Sequence, residues 1–194
     1  MAPYELVVIG SSWGGVAALE RILDRLPRDF PLPIAIAQHR SPTSRLRRIG
    51  GRVLKEVEDK DPIEPGGVYL APADYHLLVE PGSLALSTEG PVQHSRPSID
   101  VMFESAADAY GDRLIGVILT GLNRDGADGF VRIHRLGGLT IAQDPATAER
   151  PSMPEAAIAT GAVDRIVPLE GIGPLLAKLG APANGGSSRR EGAV

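Results

Sequence analysis

Short runs of apolar residues, rich in Val and Ile, alternate along the chain with segments whose apolar residues recur every three to four positions. The short runs are predicted strands, because a run that is apolar at every position suits a strand buried on both faces. They cover residues 5–9, 34–37, 68–71, 114–119 and 140–143. The periodic segments are predicted helices, because their apolar positions share one helix face. They cover residues 14–26, 99–110, 127–135, 154–160 and 171–179.

Three further segments complete the pattern. Two runs, residues 76–80 and 83–87, flank a Pro-Gly pair and predict an antiparallel β-hairpin. Residues 41–54 are predicted to form a loop with a short arginine-rich helix. The charged run 55–61 is interpreted as a solvated surface.

Strands that alternate with helices predict an α/β fold. We expect a doubly wound, mostly parallel sheet with helices on both faces and one antiparallel β-hairpin. A length of 194 residues fits one domain. That domain is predicted to span residues 1–182, and its composition predicts that 183–194 form a disordered tail.

Composition limits the classes of function. A hydrophobic content of 43% is ordinary for a globular protein, and a net charge of −4 gives no electrostatic footprint for nucleic acid. The absence of cysteine excludes a disulfide, a thiolate metal site and a cysteine nucleophile. No signal peptide and no apolar run long enough to span a bilayer are present, so we expect a soluble, cytoplasmic protein without membrane insertion.

The glycine-rich stretch 10–15 joins the first predicted strand to the first predicted helix. Such a turn directs backbone N–H groups and the positive end of the helix dipole at whatever lies above the sheet edge. Ser11 and Ser12 lie within it, so the turn fits either a phosphate cradle or an activated nucleophile.

Polar residues at three predicted strand ends favour the nucleophile. In a doubly wound sheet the carboxyl ends of the strands share one edge, which places Ser12, His39 and Asp125 near one another. Such a serine, histidine and aspartate can act as nucleophile, base and orienting acid. Each also has a structural alternative: a helix cap for Ser12 and Asp125, and a hydrogen-bonded structural role for His39. The other histidines, His76, His94 and His134, are interpreted as structural.

Other kinds of site fit the sequence less well. The dinucleotide pattern G-x-G-x-x-G fails because position 12 is serine, no acid ends the second strand, and no Walker lysine is present. The histidines are scattered, so a metal site is not expected. A binding module that keeps the pocket without chemistry stays open as an alternative.

Several motifs together resemble one family. They are Ile9–Gly15 (Ile-Gly-Ser-Ser-Trp-Gly-Gly), Gln38-His39, Ala71-Pro72 with His76-Leu77-Leu78, Arg96–Asp100 (Arg-Pro-Ser-Ile-Asp), Leu119-Thr120-Gly121 with Asp125-Gly126-Ala127, Gly138–Asp144 (Gly-Leu-Thr-Ile-Ala-Gln-Asp) and Met153-Pro154. In this order they resemble the catalytic domain of the chemotaxis protein-glutamate methylesterases (CheB type), over about residues 4–180.

The resemblance implies a serine hydrolase that demethylates γ-glutamyl methyl esters on the cytoplasmic domains of methyl-accepting chemoreceptors, often with deamidation of glutamines. It implies that Ser12 is the nucleophile, His39 the base and Asp125 the orienting acid, with no cofactor and no metal. The remaining candidates for substrate contact or for the oxyanion hole are Ser11, Trp13, Gly14, Arg40, Leu122 and Met153.

The chain also departs from the family. Trp13 stands where a small residue or threonine is usual, Arg40 where methionine is common, and residues 122–124 where Met-Gly-Asn is typical. We therefore expect a substrate groove of different shape and charge. The first strand starts near Met1 and leaves no room for the family's N-terminal phosphoacceptor domain, so constitutive activity or regulation by a partner is expected. A diverged binding or scaffolding relative with weak or no esterase activity is the alternative.

Overall fold

The computed structural model describes residues 4–41 and 46–181. The strands are β1 Leu6–Ser11, β2 Ile34–Gln38, β3 Arg48–Ile49, β4 Arg52–Val53, β5 Lys55–Glu56, β6 Asp61–Pro62, β7 Val68–Leu70, β8 His76–Glu80, β9 Ser83–Ser87, β10 Leu114–Ile118, β11 Leu139–Gln143 and β12 Arg165–Val167. The α-helices are α1 Gly15–Asp24, α2 Ile99–Tyr110, α3 Ala127–Arg135, α4 Ser152–Ala159 and α5 Leu169–Gly180.

A sheet of seven strands in the order β12-β11-β10-β1-β2-β7-β5 forms the centre of the molecule. All of its neighbouring strands run parallel. The strands β2, β5 and β7 lie on one side of β1, and the later strands β10, β11 and β12 lie on the other side. The order therefore reverses between β1 and β10, and ligands of such sheets bind at the carboxyl ends of strands beside such a reversal.

The first strand separates two apolar cores. Val7 and Ile9 pack on one face with helices α1 and α5, whereas Leu6 and Val8 face the other side with α2, α3 and α4. The antiparallel hairpin of β8 and β9, joined by β6, covers the second face. The predicted doubly wound sheet with helices on both faces and an antiparallel hairpin is confirmed.

Helix α2 shows how local sequence sets its ends. Ser98 has extended backbone angles, and its hydroxyl accepts a hydrogen bond from the N–H of Val101 at 3.4 Å. Gly111 closes the helix with a φ of 55°, which an L-residue rarely adopts. The helix thus spans Ile99–Tyr110, the bounds that the apolar pattern predicted.

Three segments differ from the predictions. The expected arginine-rich helix is absent from residues 46–54, which instead hold the β3–β4 hairpin with Ile49 and Leu54 buried against α1. Residues 42–45 lie outside the described part of the chain. The run 55–61 is not only a solvated surface: it supplies an edge strand and buries Val57. Strand β12 was not predicted.

The proposed tail, residues 183–194, also lies outside the described residues. Within the part of the chain that the structure describes, no helix is long and apolar enough to cross a membrane.

Candidate active site

The predicted catalytic side chains lie at the carboxyl ends of adjacent strands, beside the reversal of strand order. Ser12 follows β1, His39 follows β2, and Asp125 lies in the loop between β10 and α3. The sheet pairs Ser11 with Gln38, so the next register position places Ser12 opposite His39. Parallel neighbours are about 4.8 Å apart, which brings the two residues within reach of each other.

A buried glutamine fixes this pair of residues. The amide nitrogen of Gln38 donates to the carbonyl oxygens of Ser12 at 2.8 Å and His39 at 2.7 Å. Its amide oxygen accepts from the hydroxyl of Ser11 at 2.5 Å. Sequence reasoning gave Gln38 no role of its own. The available signal was an amide side chain that ends an otherwise apolar, fully buried strand.

Asp125 is fully buried and receives hydrogen bonds from several donors. Ser98 Oγ donates to Oδ1 at 2.8 Å, and the backbone N–H groups of Ile99 and Asp100 donate to Oδ2 and Oδ1 at 2.8 and 3.0 Å. The carboxylate thus occupies the N-terminus of α2, where the helix dipole favours an anion.

Electrostatics keep Asp125 ionised. Burial would raise the pKa of the Asp125 carboxyl, but the hydrogen bond from His39 and those from two backbone N–H groups outweigh burial and lower the pKa. The stabilisation that comes with this depressed pKa is present above the ordinary aspartate range and is lost as the pH falls through the folded-state pKa. Throughout the neutral range Asp125 is therefore a fixed negative charge.

His39 connects this buried anion to the surface. Its Nε2 lies 2.7 Å from Asp125 Oδ2, and its side chain is 14% exposed. A neutral imidazole that donates from Nε2 presents the unprotonated Nδ1 as a base. The contact with Asp125 thus selects the tautomer that can accept a proton.

Helix α1 begins differently from α2. Its N-cap, Gly14, has the left-handed φ of 77° and provides no side-chain cap. The N–H of Gly15 donates to the carbonyl of Ser12 at 2.9 Å. Among the described residues, the N–H groups of Trp13 and Gly14 have no hydrogen-bond acceptor. These donors beside the Ser12 hydroxyl stay available to a ligand.

The loop after β10 packs directly on Ser12. The N–H of Ser12 donates to the carbonyl of Thr120 at 3.0 Å. A Cβ built on Gly121 would lie 2.9 Å from the Cβ of Ser12, so only glycine allows this approach. The next N–H, that of Leu122, also lacks an acceptor among the residues described.

A second buried glutamine holds this loop. Gln143 Oε1 accepts from the N–H of Thr120 at 2.9 Å, and its Nε2 donates to the carbonyl of Thr147 at 2.9 Å. Gln143 ends β11 as Gln38 ends β2. Both glutamines therefore position loops of the site from behind.

Three candidate residues from the sequence have buried side chains, so they do not line an open surface beside Ser12. Ser11 is fully buried against Gln38. Met153 is also fully buried and does not line a groove: it packs beneath Gly121, where a Cβ would meet its Sδ at 2.8 Å. Arg40 has a side chain only 6% exposed, which lies 3.4 Å from Glu56. The predicted effect of Arg40 on the charge of the groove therefore cannot come from an exposed guanidinium.

Two of the remaining histidines have structural contacts. His76 is buried, accepts from the N–H of Ser98 at Nδ1 (3.1 Å) and faces the carbonyl of Gly90 with Nε2 (3.0 Å). It supports the cap of α2 from below. His134 lies 3.1 Å from Asp164 on the surface.

A second buried carboxyl lies behind Asp125. Asp100 is 4% exposed and accepts from the N–H of Gly129 and from Gln93 Nε2, both at 2.8 Å. Burial raises the pKa of Asp100 to about 7, with a further increase from the charge of Asp125. Asp100 therefore titrates near neutrality, in contact with the helix end that holds Asp125.

Together these groups are of the kinds that acyl transfer requires. A half-buried hydroxyl lies beside unoccupied N–H donors, and across from it a histidine is oriented by a buried carboxylate. Among the described residues, no group of three His, Cys, Asp or Glu side chains could hold a metal ion.

Comparisons with known proteins agree on one family. The profile for CheB methylesterase matches residues 7–176. A chain from Leptospira interrogans, named for protein-glutamate methylesterase and protein-glutamine glutaminase, is 46% identical over 183 residues, 91% of this chain and 95% of that one. FrzG, a protein-glutamate methylesterase of Myxococcus xanthus, is 44% identical over 182 residues, 90% of this chain and 54% of FrzG. The Thermotoga maritima CheB methylesterase catalytic domain matches with a TM-score of 0.84 at 35% identity, over 91% of this chain and 98% of that chain.

Proposed function

The chain belongs to the CheB methylesterase family, and we propose that it hydrolyses γ-glutamyl methyl esters through a Ser12–His39–Asp125 triad. The observation that carries the proposal is the 2.7 Å contact between His39 Nε2 and a fully buried Asp125 carboxylate, next to the glycine turn of Ser12. Such a constellation of residues is recognised by geometry and roles rather than by order in the chain.

The first half-reaction acylates the enzyme. Ser12 Oγ attacks the ester carbonyl while His39 Nδ1 accepts the hydroxyl proton, and Asp125 stabilises the resulting imidazolium. The N–H groups of Trp13 and Leu122 are the donors we assign to the developing oxyanion. Such a donor is worth roughly 3–4 kcal/mol in the transition state. His39 then gives its proton to the departing methoxide, which leaves as methanol.

The second half-reaction restores the serine. A water molecule donates a proton to His39 and attacks the acyl carbonyl. The bond between the acyl carbon and Ser12 Oγ then breaks as His39 returns the proton to Oγ, which releases the glutamate carboxylate and restores both residues. A glutamine side chain can follow the same route with ammonia as the leaving group. One triad thereby serves both the methylesterase and the glutaminase activities for which the relatives are named.

The proposed substrates are the cytoplasmic domains of methyl-accepting chemoreceptors, which places the enzyme in the cytoplasm. Support comes from the family membership and from the names of the relatives. No cofactor is required, because the nucleophile, base, acid and N–H donors all come from the chain.

The test is release of methanol from methylated receptor cytoplasmic fragments, and of ammonia from the same fragments carrying glutamine. Ser12→Ala and His39→Ala are expected to lower kcat for both products by at least about 10³-fold with an unchanged fold. His134→Ala, which removes an exposed histidine far from Ser12, is the matched control and is expected to keep the wild-type rate.

Two outcomes would reject the proposal. One is methanol release that persists in Ser12→Ala. The other is a folded wild-type protein that releases neither product but binds the fragments, which would favour a scaffolding role.

A further inference from the structure

Two large apolar side chains are exposed on the two loops that meet at Ser12. Trp13 and Leu122 are each 54% exposed. Trp13 is the next residue after Ser12, and Leu122 follows Gly121, which contacts the Ser12 side chain. A substrate whose ester carbonyl reaches Ser12 Oγ therefore approaches the two loops that carry these side chains.

The indole of Trp13 is fixed although it is exposed. Its Nε1 donates to Glu149 Oε1 at 2.9 Å, and the guanidinium of Arg150 lies 5.6 Å from the ring centroid. Gly14 supports this arrangement, because a Cβ at that position would lie 2.7 Å from the Glu149 carboxylate. An aromatic side chain that is already ordered loses little conformational entropy when a partner covers it.

Further hydrogen bonds tie the loop of Trp13 to the loop that leads to Leu122. Thr120 Oγ1 donates to the carbonyl of Trp13 at 3.0 Å and accepts from the N–H of Arg150 at 2.8 Å. Gly121 donates to the carbonyl of Arg150 at 3.0 Å. The backbone of the two loops that carry these side chains is therefore held in a fixed relation to the nucleophile.

We infer that Trp13 and Leu122 form an apolar clamp that selects protein segments with apolar side chains beside the glutamyl methyl ester. The inference rests on the proposed esterase activity of Ser12 and adds the determinant of its substrate choice. Burial accounts for this preference, because a polar neighbour of the ester would lose hydration against the indole and the leucine without gaining a hydrogen-bond partner. An apolar neighbour gains from covering both side chains.

The experiment compares two peptides that share one γ-methyl glutamate and differ only in its neighbours, leucine and valine in one and asparagine in the other. A small ester, N-acetyl-glutamate γ-methyl ester amide, is the third substrate. The wild type is expected to hydrolyse the apolar peptide at least tenfold faster, measured as kcat/KM, than the asparagine peptide.

Variants of the clamp are expected to abolish this preference. In Trp13→Thr and in Leu122→Asn the ratio of kcat/KM between the two peptides should fall below threefold. Leu136→Asn, which changes another exposed leucine on the surface (40% exposed), is the matched control and should keep the wild-type ratio. Use of the ratio separates substrate choice from any change in the chemical step.

The outcomes separate the two proposals. A wild type that turns over the small ester and both peptides equally well would overturn the clamp and leave the esterase proposal standing, whereas no turnover of any ester would remove the basis of both. An unchanged ratio in folded Trp13→Thr also contradicts the clamp.

Discussion

Two helix N-termini point at the same site and are used in opposite ways. At α2 the first N–H groups are occupied, because Ser98 caps the helix and Asp125 accepts from Ile99 and Asp100. At α1 the cap is Gly14, which offers no side-chain acceptor, and the first turn contains no acidic residue.

The difference separates a permanent anion from a transient one. Both helix ends offer N–H donors and a positive partial charge. The α2 end uses them to stabilise a carboxylate that stays charged through the reaction. The α1 end leaves donors free beside Ser12, where negative charge develops only in the transition state. We call the N-terminus of α1, with its free N–H donors, the open end, and the N-terminus of α2, which holds the Asp125 carboxylate, the closed end. Substitutions that disturb the donors of the open end or remove the anion of the closed end should therefore reduce catalysis.

The largest effect is expected from emptying the closed end. Asp125→Asn places an amide where three hydrogen-bond donors and His39 converge, so the imidazole loses its orienting charge and its tautomer. We expect kcat to fall by about 10³–10⁴-fold, measured by methanol release. Asp128→Asn, an exposed aspartate in the first turn of α3, is the control and should keep the wild-type kcat. Equal rates for Asp125→Asn and wild type would refute the role of Asp125.

A smaller effect is expected from disturbing the open end. Gly14→Ala puts a Cβ at a φ of 77° and within 3 Å of Glu149. The left-handed conformation costs about 1–2 kcal/mol for an L-residue, and the displaced turn carries the N–H donors beside Ser12. We expect kcat to fall by about tenfold or more, since one such donor is worth 10²–10³-fold.

Gly161→Ala separates strain from position. Gly161 has a similar φ of 72°, but no atom lies within 4 Å of a Cβ built there. It should show a comparable loss of thermal stability with an unchanged kcat. A parallel loss of activity in both variants would show that general strain, not the α1 turn, limits catalysis.

An effect on kcat below that of Gly14→Ala is expected from weakening the closed end. Ser98→Ala removes the cap of α2 and one donor to Asp125, so we expect a loss of about 1 kcal/mol in the free energy of unfolding and a several-fold fall in kcat. Chemical denaturation and methanol release measure the two quantities. Ser98→Thr retains the hydroxyl and should restore both. Failure of the threonine to rescue kcat would mean that the hydroxyl does not act through Asp125.

The last effect is one of pH-dependent stability, without a predicted change in kcat, and concerns the second carboxyl at this helix end. Burial raises the pKa of Asp100 to about 7. The favourable contribution of Asp100 to the free energy of unfolding is therefore complete below the ordinary aspartate pKa, and it is lost as the pH rises through 7. Asp100→Asn cannot ionise. Between pH 5 and 8 the wild type should therefore lose about 2 kcal/mol more unfolding free energy than this variant. Parallel stability curves from urea unfolding would contradict the raised pKa.

Local sequence predicted the helix ends themselves better than the side chains that lie on them. The bounds of α2 and α3 followed from the recurrence of apolar residues, and the glycine turn before α1 marked Ser12. That Asp125 lies on the N-terminus of α2 could not be predicted, because it depends on contacts between residues about 25 positions apart. The role of Gln38 was missed for the same reason.

Weak patterns explain the errors in the fold. Strand β12 is short, begins with Arg165 and exposes Ile166 (52%), so it lacks the apolar run that predicts a buried strand. Strand β5 contains only Lys55 and Glu56, and it pairs with β7 at the sheet edge, where charged side chains are common. Such strands are specified by their neighbours rather than by their own sequence.

The activation of Ser12 can be tested most directly by covalent labelling with an aryl sulfonyl fluoride followed by peptide mass spectrometry. The predicted result is one adduct per chain, located on Ser12, with fluoride released. Labelling should be at least about a hundredfold slower in His39→Ala and absent in Ser12→Ala. An adduct on another residue, or equal labelling rates in wild type and His39→Ala, would contradict the assignment of Ser12 as a nucleophile activated by His39.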